Sequence, residues 1–173
     1  MPDAVKAPLV LTLICAFVCG ALAFANDLTA DTIAAAEEER LQQSLTEAFG
    51  ESDYTPLEQN FEGINQVITD AAGRIIFDVT STGYEKDGQH LLIGLDSGGS
   101  VSGVCIVSIE DSPTQADKVQ QDAFLSQFIG RNTPGSEYDA VSGATKSSSG
   151  IRNAVDLALR TYIEHEEAIK NGK

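Results

Sequence analysis

Tryptophan is absent from this 173-residue chain, and only 7 phenylalanines and 4 tyrosines are present. That scarcity leaves little for base-stacking platforms or carbohydrate clefts. Three cysteines cannot build a disulfide framework, a C-x-x-C-H haem site or a zinc site. The two histidines, His90 and His165, belong to no metal or catalytic motif and read as structural or solvated. Basic residues are also few, 11 against 26 acidic ones, for a net charge of −15. Phosphate neutralisation needs clustered Lys and Arg, so nucleic-acid binding is excluded, as is a face that clings to anionic lipid.

What is present divides the chain in two. Pro8 to Ala25 reads PLVLTLICAFVCGALAFA without a charge. As a helix this run spans about 27 Å, at about 1.5 Å per residue, enough for a hydrocarbon core. Lys6 precedes it and acidic residues follow, which orients residues 1–7 to the cytoplasm and the body outside. The run reads as an uncleaved anchor. Ala23-Phe24-Ala25 is also an A-x-A cleavage site, the mark of a removed signal peptide. On either reading the body is exported. Cys15 and Cys19 lie within the apolar run, which leaves Cys105 as the only thiol of the body.

The body carries enough apolar residues for a core, 42% of the chain. Residues 26–56 read as a helical stalk. Ile33, Leu41, Leu45 and Phe49 recur at near-helical spacing, Gly50 stops the helix and Pro56 confirms the break. Residues 57–173 read as one domain. Two hairpins are expected, Ile64–Thr69 with Arg74–Thr82 and Leu91–Asp96 with Val101–Glu110, around Gly- and Ser-rich turns. Gly83 to Gly88 links them. Short helix signals cover Asp122–Ile129, and a longer amphipathic pattern runs from Thr145 to about Glu167, with Ser147, Ser148 and Ser149 as cap hydroxyls. The fold class is α+β.

The segment Asp139-Ala140-Val141-Ser142-Gly143-Ala144-Thr145-Lys146-Ser147-Ser148 carries the chemistry. An extended stretch enters a small-residue turn and then a helix. Gly143 and Ala144 let another molecule approach the backbone. Free N–H groups at the helix start, with Lys146 and the serines, make a site for an anion. An ordinary Ser/Thr-rich helix cap has the same spacing. Neither a G-x-S-x-G elbow nor an EF-hand loop is present.

The same segment resembles the flavinylation motif D-x-x-[S/T]-G-A-[T/S] of FMN-binding domains. That motif occurs in the G subunit of the Rnf electron-transport complex and the C subunit of the Na⁺-translocating NADH:quinone reductase. Asp139, Ser142, Gly143, Ala144 and Thr145 match every defining position, and the likeness runs from about Gly63 to Leu159. It implies FMN held by a phosphoester on Thr145, attached by a separate Mg²⁺-dependent flavin transferase with FAD as donor. By resemblance, Ser142, Gly143, Ala144, Lys146, Ser147, Ser148 and Tyr84 line the cofactor. Asp139, Ser142, Gly143, Ala144 and Thr145 are what the transferase recognises. No catalytic residue and no metal site is expected.

The family's E-T-P-G-x-G appears here as Asp111-Ser112-Pro113-Thr114-Gln115-Ala116, without either glycine. The implied role is an electron relay in a membrane-bound, ion-translocating complex between NADH and ferredoxin, with other membrane subunits as partners and Na⁺ or H⁺ as coupling ion. Alternatives are a free-standing anchored shuttle to an extracellular reductase, or a non-redox module that binds a phosphorylated ligand.

Overall fold

The computed structural model describes residues 3–171; Met1 and Pro2, at the expected cytoplasmic tip, and Gly172 and Lys173 lie outside it. The chain divides into two compact units, residues 1–41 and 42–173.

The first unit is helical. It belongs to α1, Asp3–Phe49, whose Pro8 is accommodated within the helix. The helix segment Pro8–Phe49 contains a window of mean hydropathy 2.4, long and apolar enough to cross a membrane. None of that window is buried in protein. Leu11, Leu13, Phe17, Leu22 and Phe24 are all exposed, a continuous apolar surface that water disfavours and a bilayer accepts.

The second unit begins with the last two turns of α1. Gly50, at φ 88°, ends the helix by donating its N–H to the Thr46 carbonyl at 2.9 Å. An antiparallel meander of five strands follows, in the order β1 (Thr55–Pro56), β2 (Gln66–Thr69), β3 (Ile75–Ser81), β4 (Gln89–Leu95) and β5 (Val101–Ile109). Two of its turns are closed by aspartates. Asp70 Oδ1 accepts the Ala72 and Arg74 N–H groups, and Asp96 Oδ1 accepts those of Gly98 and Ser100. These are Asx turns, which the short carboxylate forms without help from the core. The two expected hairpins are not separate. β3 and β4 also pair, from Ile75↔Leu95 to Ser81↔Gln89, so residues 82–88 form a hairpin loop.

One face of the sheet presents Ile75, Phe77, Val79, Leu91, Ile93 and Leu95 to α4 (Thr145–Asn171), which answers with Ile151, Val155, Ala158, Leu159 and Tyr162. This is strand period two meeting helix period 3.6. On the other face, the Phe49 ring covers the cross-strand pair Gly94↔Gly103, where a Cβ would stand 2.5 and 2.7 Å from the ring.

Three elements differ from expectation. The Asp111–Ala116 stretch, expected as a loop, leads into α2 (Pro113–Val119), started by Ser112 with Pro113 at the first helical position. The Asp122–Ile129 helix shortens to α3 (Asp122–Leu125) and a 3-10 turn, Ser126–Phe128. At the far end, α4 continues past Glu167 through a kink at His165. Ile169, beyond the kink, is buried and gives the extra turn its anchor.

Candidate flavin site at the start of helix α4

The motif folds as a tight turn onto α4. Val141 O accepts the Ala144 N–H at 2.9 Å, and Gly143 between them sits at φ 76°. Ala144 is buried, and its carbonyl accepts both the N–H and the hydroxyl of Ser148 at 2.9 Å. Ser148 Oγ in turn accepts the Val141 N–H at 3.0 Å. With the turn tied from inside, the N–H groups of Thr145, Lys146 and Ser147 form the open first turn of a 27-residue helix. No acidic side chain occupies that turn, so its positive end is uncompensated.

Ser142, Gly143, Thr145 and Lys146 are exposed on this turn. Tyr84, 54% exposed, is brought from the β3–β4 loop so that Lys146 Nζ lies 5.1 Å from its ring centroid. Asp139 is exposed upstream, its N–H and carbonyl both held by the Gln127 amide at 2.8 and 3.2 Å. It adjoins a polar cleft of about 640 Å³ lined also by Arg131, Tyr138 and Arg152. Ser147 and Ser148 correct the expectation. Because α4 starts at Thr145, their side chains fall on its inward face and are 0% exposed. They neither cap the helix from outside nor offer a hydroxyl to a ligand; Ser147 can contribute its backbone N–H only.

Sequence reasoning missed Lys118, Gln89 and the role of Asp111. Lys118, near the end of α2, donates from Nζ to the Ser142 carbonyl at 3.2 Å. The Ser112-Pro113 start of α2 was the available signal. Asp111, 5% exposed, accepts the N–H groups of Tyr84 and Glu85 at Oδ1, at 2.9 and 3.2 Å, and the Gln89 amide at Oδ2, at 2.9 Å. Gln89 is fully buried and also donates to the Ser147 carbonyl at 3.2 Å. One carboxylate and one amide thereby lock the Tyr84 loop to the first turn of α4. Thr114 and Ala116, which replace the family's glycines, lie on α2, with Ala116 packed inside.

Burial pushes the Asp111 carboxyl up, but the Ser147 hydroxyl, the Gln89 amide and the N–H groups of Glu85 and Tyr84 outweigh it and hold it below the ordinary 3.8. Of the groups that lower it the Ser147 hydroxyl contributes most, from a position that falls short of regular hydrogen-bond geometry. A carboxyl with a lowered folded pKa stabilises the fold above its ordinary value, and that stability is lost as pH falls through the folded value. Asp111→Asn keeps one acceptor oxygen but turns an NH₂ toward the Gln89 NH₂. We expect a loss of about 1–3 kcal/mol at neutral pH, shrinking as the pH falls below about 4, where the unfolded chain's Asp111 takes up a proton that the folded carboxyl still resists, and further as the folded carboxyl itself protonates at lower pH. Urea melts at pH 7 and pH 3 check this; a gap of equal size at both contradicts it. Cys105 plays no part here. Burial first and Glu47 second push its thiol up, so it stays protonated.

The residues present fit FMN. An exposed hydroxyl, free N–H groups and two ammonium groups suit a phosphodiester, and an exposed tyrosine beside them suits a flat ring. Comparison with known proteins agrees. The family model described as "FMN-binding domain" matches residues 83–160, which include Tyr84, Asp111, Lys118 and the whole motif. A second, described as "RnfG N-terminal region", matches residues 3–48. Three similar proteins each carry the name of the G subunit of an ion-translocating oxidoreductase complex. That of Stutzerimonas stutzeri is 30% identical over 189 residues, covering 93% of this chain and 82% of its own. Those of Cereibacter sphaeroides and Haemophilus influenzae (strain PittEE) are 27% and 26% identical, covering 83% and 92% of this chain and 77% and 89% of their own. With the helical and flavin-binding regions matched in order and one alignment spanning nearly the whole length, this chain belongs to the G-subunit family of ion-translocating Rnf oxidoreductase complexes.

Proposed function

We propose that this chain is the extracytoplasmic electron-relay subunit of an Rnf-type complex, carrying FMN bonded through its phosphate to Thr145 Oγ1. The observation that carries the reading is Thr145 itself: an exposed hydroxyl on the first turn of α4, flanked by Lys146 and by Lys118 reaching Ser142. In the attachment step, Thr145 Oγ1 bonds to the FMN phosphorus of FAD as the pyrophosphate bond breaks. AMP leaves and the hydroxyl proton passes to a base of the flavin transferase. The remaining phosphodiester bears one negative charge, which the helix N-terminus and the lysines favour.

Bound FMN supplies reversible electron uptake. The polypeptide supplies position: Asp111 and Gln89 hold the Tyr84 loop against α4, and the surface location leaves the ring open to partner subunits. A covalent bond suits this exposed site, because affinity alone would not retain FMN outside the cytoplasm. The apolar helix keeps the relay at the membrane. Partner membrane subunits provide the route between NADH and ferredoxin and the passage for Na⁺ or H⁺, since this chain has no nicotinamide fingerprint and no iron–sulfur cysteine set.

Two experiments test the reading. Protein made with the transferase should fluoresce as a flavin band after denaturing electrophoresis and co-purify with integral membrane subunits; a colourless band defeats the flavin, and isolation without partners defeats the complex. The protein should also stay with membranes through high-salt and carbonate washes. Release with a mature N-terminus at Asn26 would show a cleaved signal peptide instead.

A further inference from the structure

Lysine and arginine are scarce here, and half of the ten in the body are engaged. Arg74, Lys86, Arg152 and Lys170 each pair with a carboxylate, and Arg131 is spent on the carbonyls of Gln127, Ser136 and Glu137. Lys118 has no carboxylate partner among the described residues. It sits in the last turn of α2, where a cation already suits the helix C-terminus. Its side chain instead crosses to the motif and donates one of three ammonium N–H bonds to the Ser142 carbonyl at 3.2 Å. The Nζ stands 3.0 Å from where a Cβ on Gly143 would be. Gly143 is favoured by φ 76°, and its missing Cβ lets the ammonium group approach without shifting. Two residues further on is Thr145.

We infer that Lys118 is the counter-charge of the phosphodiester on Thr145, a positioning residue held by the Ser142 carbonyl and admitted by Gly143. The inference rests on the Thr145 linkage proposed above. A half-exposed ammonium with two N–H bonds left over forms a charge-assisted hydrogen bond to a non-bridging oxygen, stronger than the helix N–H groups provide alone. It also offsets, at the attachment point, the repulsion that a body of net charge −15 exerts on an incoming anionic flavin.

The test compares the full chain in detergent before and after loading by purified transferase with FAD and Mg²⁺. Lys118→Met should melt near the wild type when unloaded, because the Ser142 contact lies on the surface. Loaded, it should lose most of the rise in melting temperature that the wild type gains on loading, and its initial loading rate should fall roughly tenfold, the scale of one charge-assisted hydrogen bond. Lys118→Arg should restore both, and added salt should shrink the wild-type gain. A Met variant that takes no flavin while melting normally when unloaded counts for the inference. Equal losses in the loaded and unloaded Met variant, or an Arg variant no better than Met, overturn it. A wild type without covalent flavin sinks the Thr145 linkage itself, which the unmutated control reveals separately.

Discussion

Replacing Thr145 with valine is expected to give a folded protein with no flavin band on a denaturing gel. Valine keeps the β-branched shape and removes only the hydroxyl, so the nucleophilic oxygen is the single thing lost. The position is exposed at the first residue of α4, where loss of a terminal polar group costs about 1 kcal/mol. The domain should therefore keep its cooperative melt. Thr145→Ser retains the oxygen and should retain partial labelling. Ser142→Ala should remain labelled, since Lys118 contacts the Ser142 backbone and not its hydroxyl. Ser147→Ala should keep its label, because its hydroxyl is buried on the inward face of α4, while the Asp111 carboxyl that this hydroxyl helps to hold ionised should titrate nearer its ordinary value. Undiminished fluorescence in the valine variant would reassign the attachment atom.

A substitution that ordinarily stabilises a helix should do the reverse at Gly150. Alanine is favoured over glycine in a helix interior by about 1 kcal/mol. Here the added methyl would run into Gln89 Oε1 and stand 2.8 Å from the Thr82 carbonyl. The Gly150 carbonyl is itself held by the Ser81 hydroxyl at 2.7 Å, so the helix cannot simply lift away. Overpacking of this kind costs about 1–3 kcal/mol, and the net result should be a lower urea midpoint with an unchanged slope. Because Gln89 also holds Asp111, the Tyr84 loop should loosen as well. Pairing Gly150→Ala with Gln89→Ala removes one side of the collision, so the double variant should be more stable than the sum of the singles predicts. A Gly150→Ala protein more stable than the wild type would show that the site relaxes freely.

Much of this was legible in the sequence where the signal is local. The aspartates at the two Asx turns, the alternation of β3 and the face of α4 follow from residues close together in the chain. The motif at Asp139–Thr145 was legible because chemistry fixes its order and spacing. What escaped depends on long-range packing. Pairing of β3 with β4 had no tight-turn signal, only the seven-residue link from Thr82 to Gly88. The inward aim of Ser147 and Ser148 follows from α4 starting at Thr145, and a run of hydroxyl residues does not reveal which one starts the helix. Gln89, Asp111 and Lys118 are 56, 34 and 27 positions from Thr145 in the sequence and meet its helix only once the sheet has formed. The missing family glycines became intelligible as α2, where Ala116 fills space that glycine would leave empty.

Peptide mass spectrometry of the wild-type protein, made together with the flavin transferase and digested with trypsin, tests the central claim most directly. Cleavage after Arg131 and Lys146 yields one peptide that contains Thr133, Ser136, Tyr138, Ser142 and Thr145, so fragmentation must locate the modification among five hydroxyls. The account predicts the mass of FMN less water on Thr145 alone. The same increment on Thr133, Ser136, Tyr138 or Ser142, or on any other peptide, would contradict it.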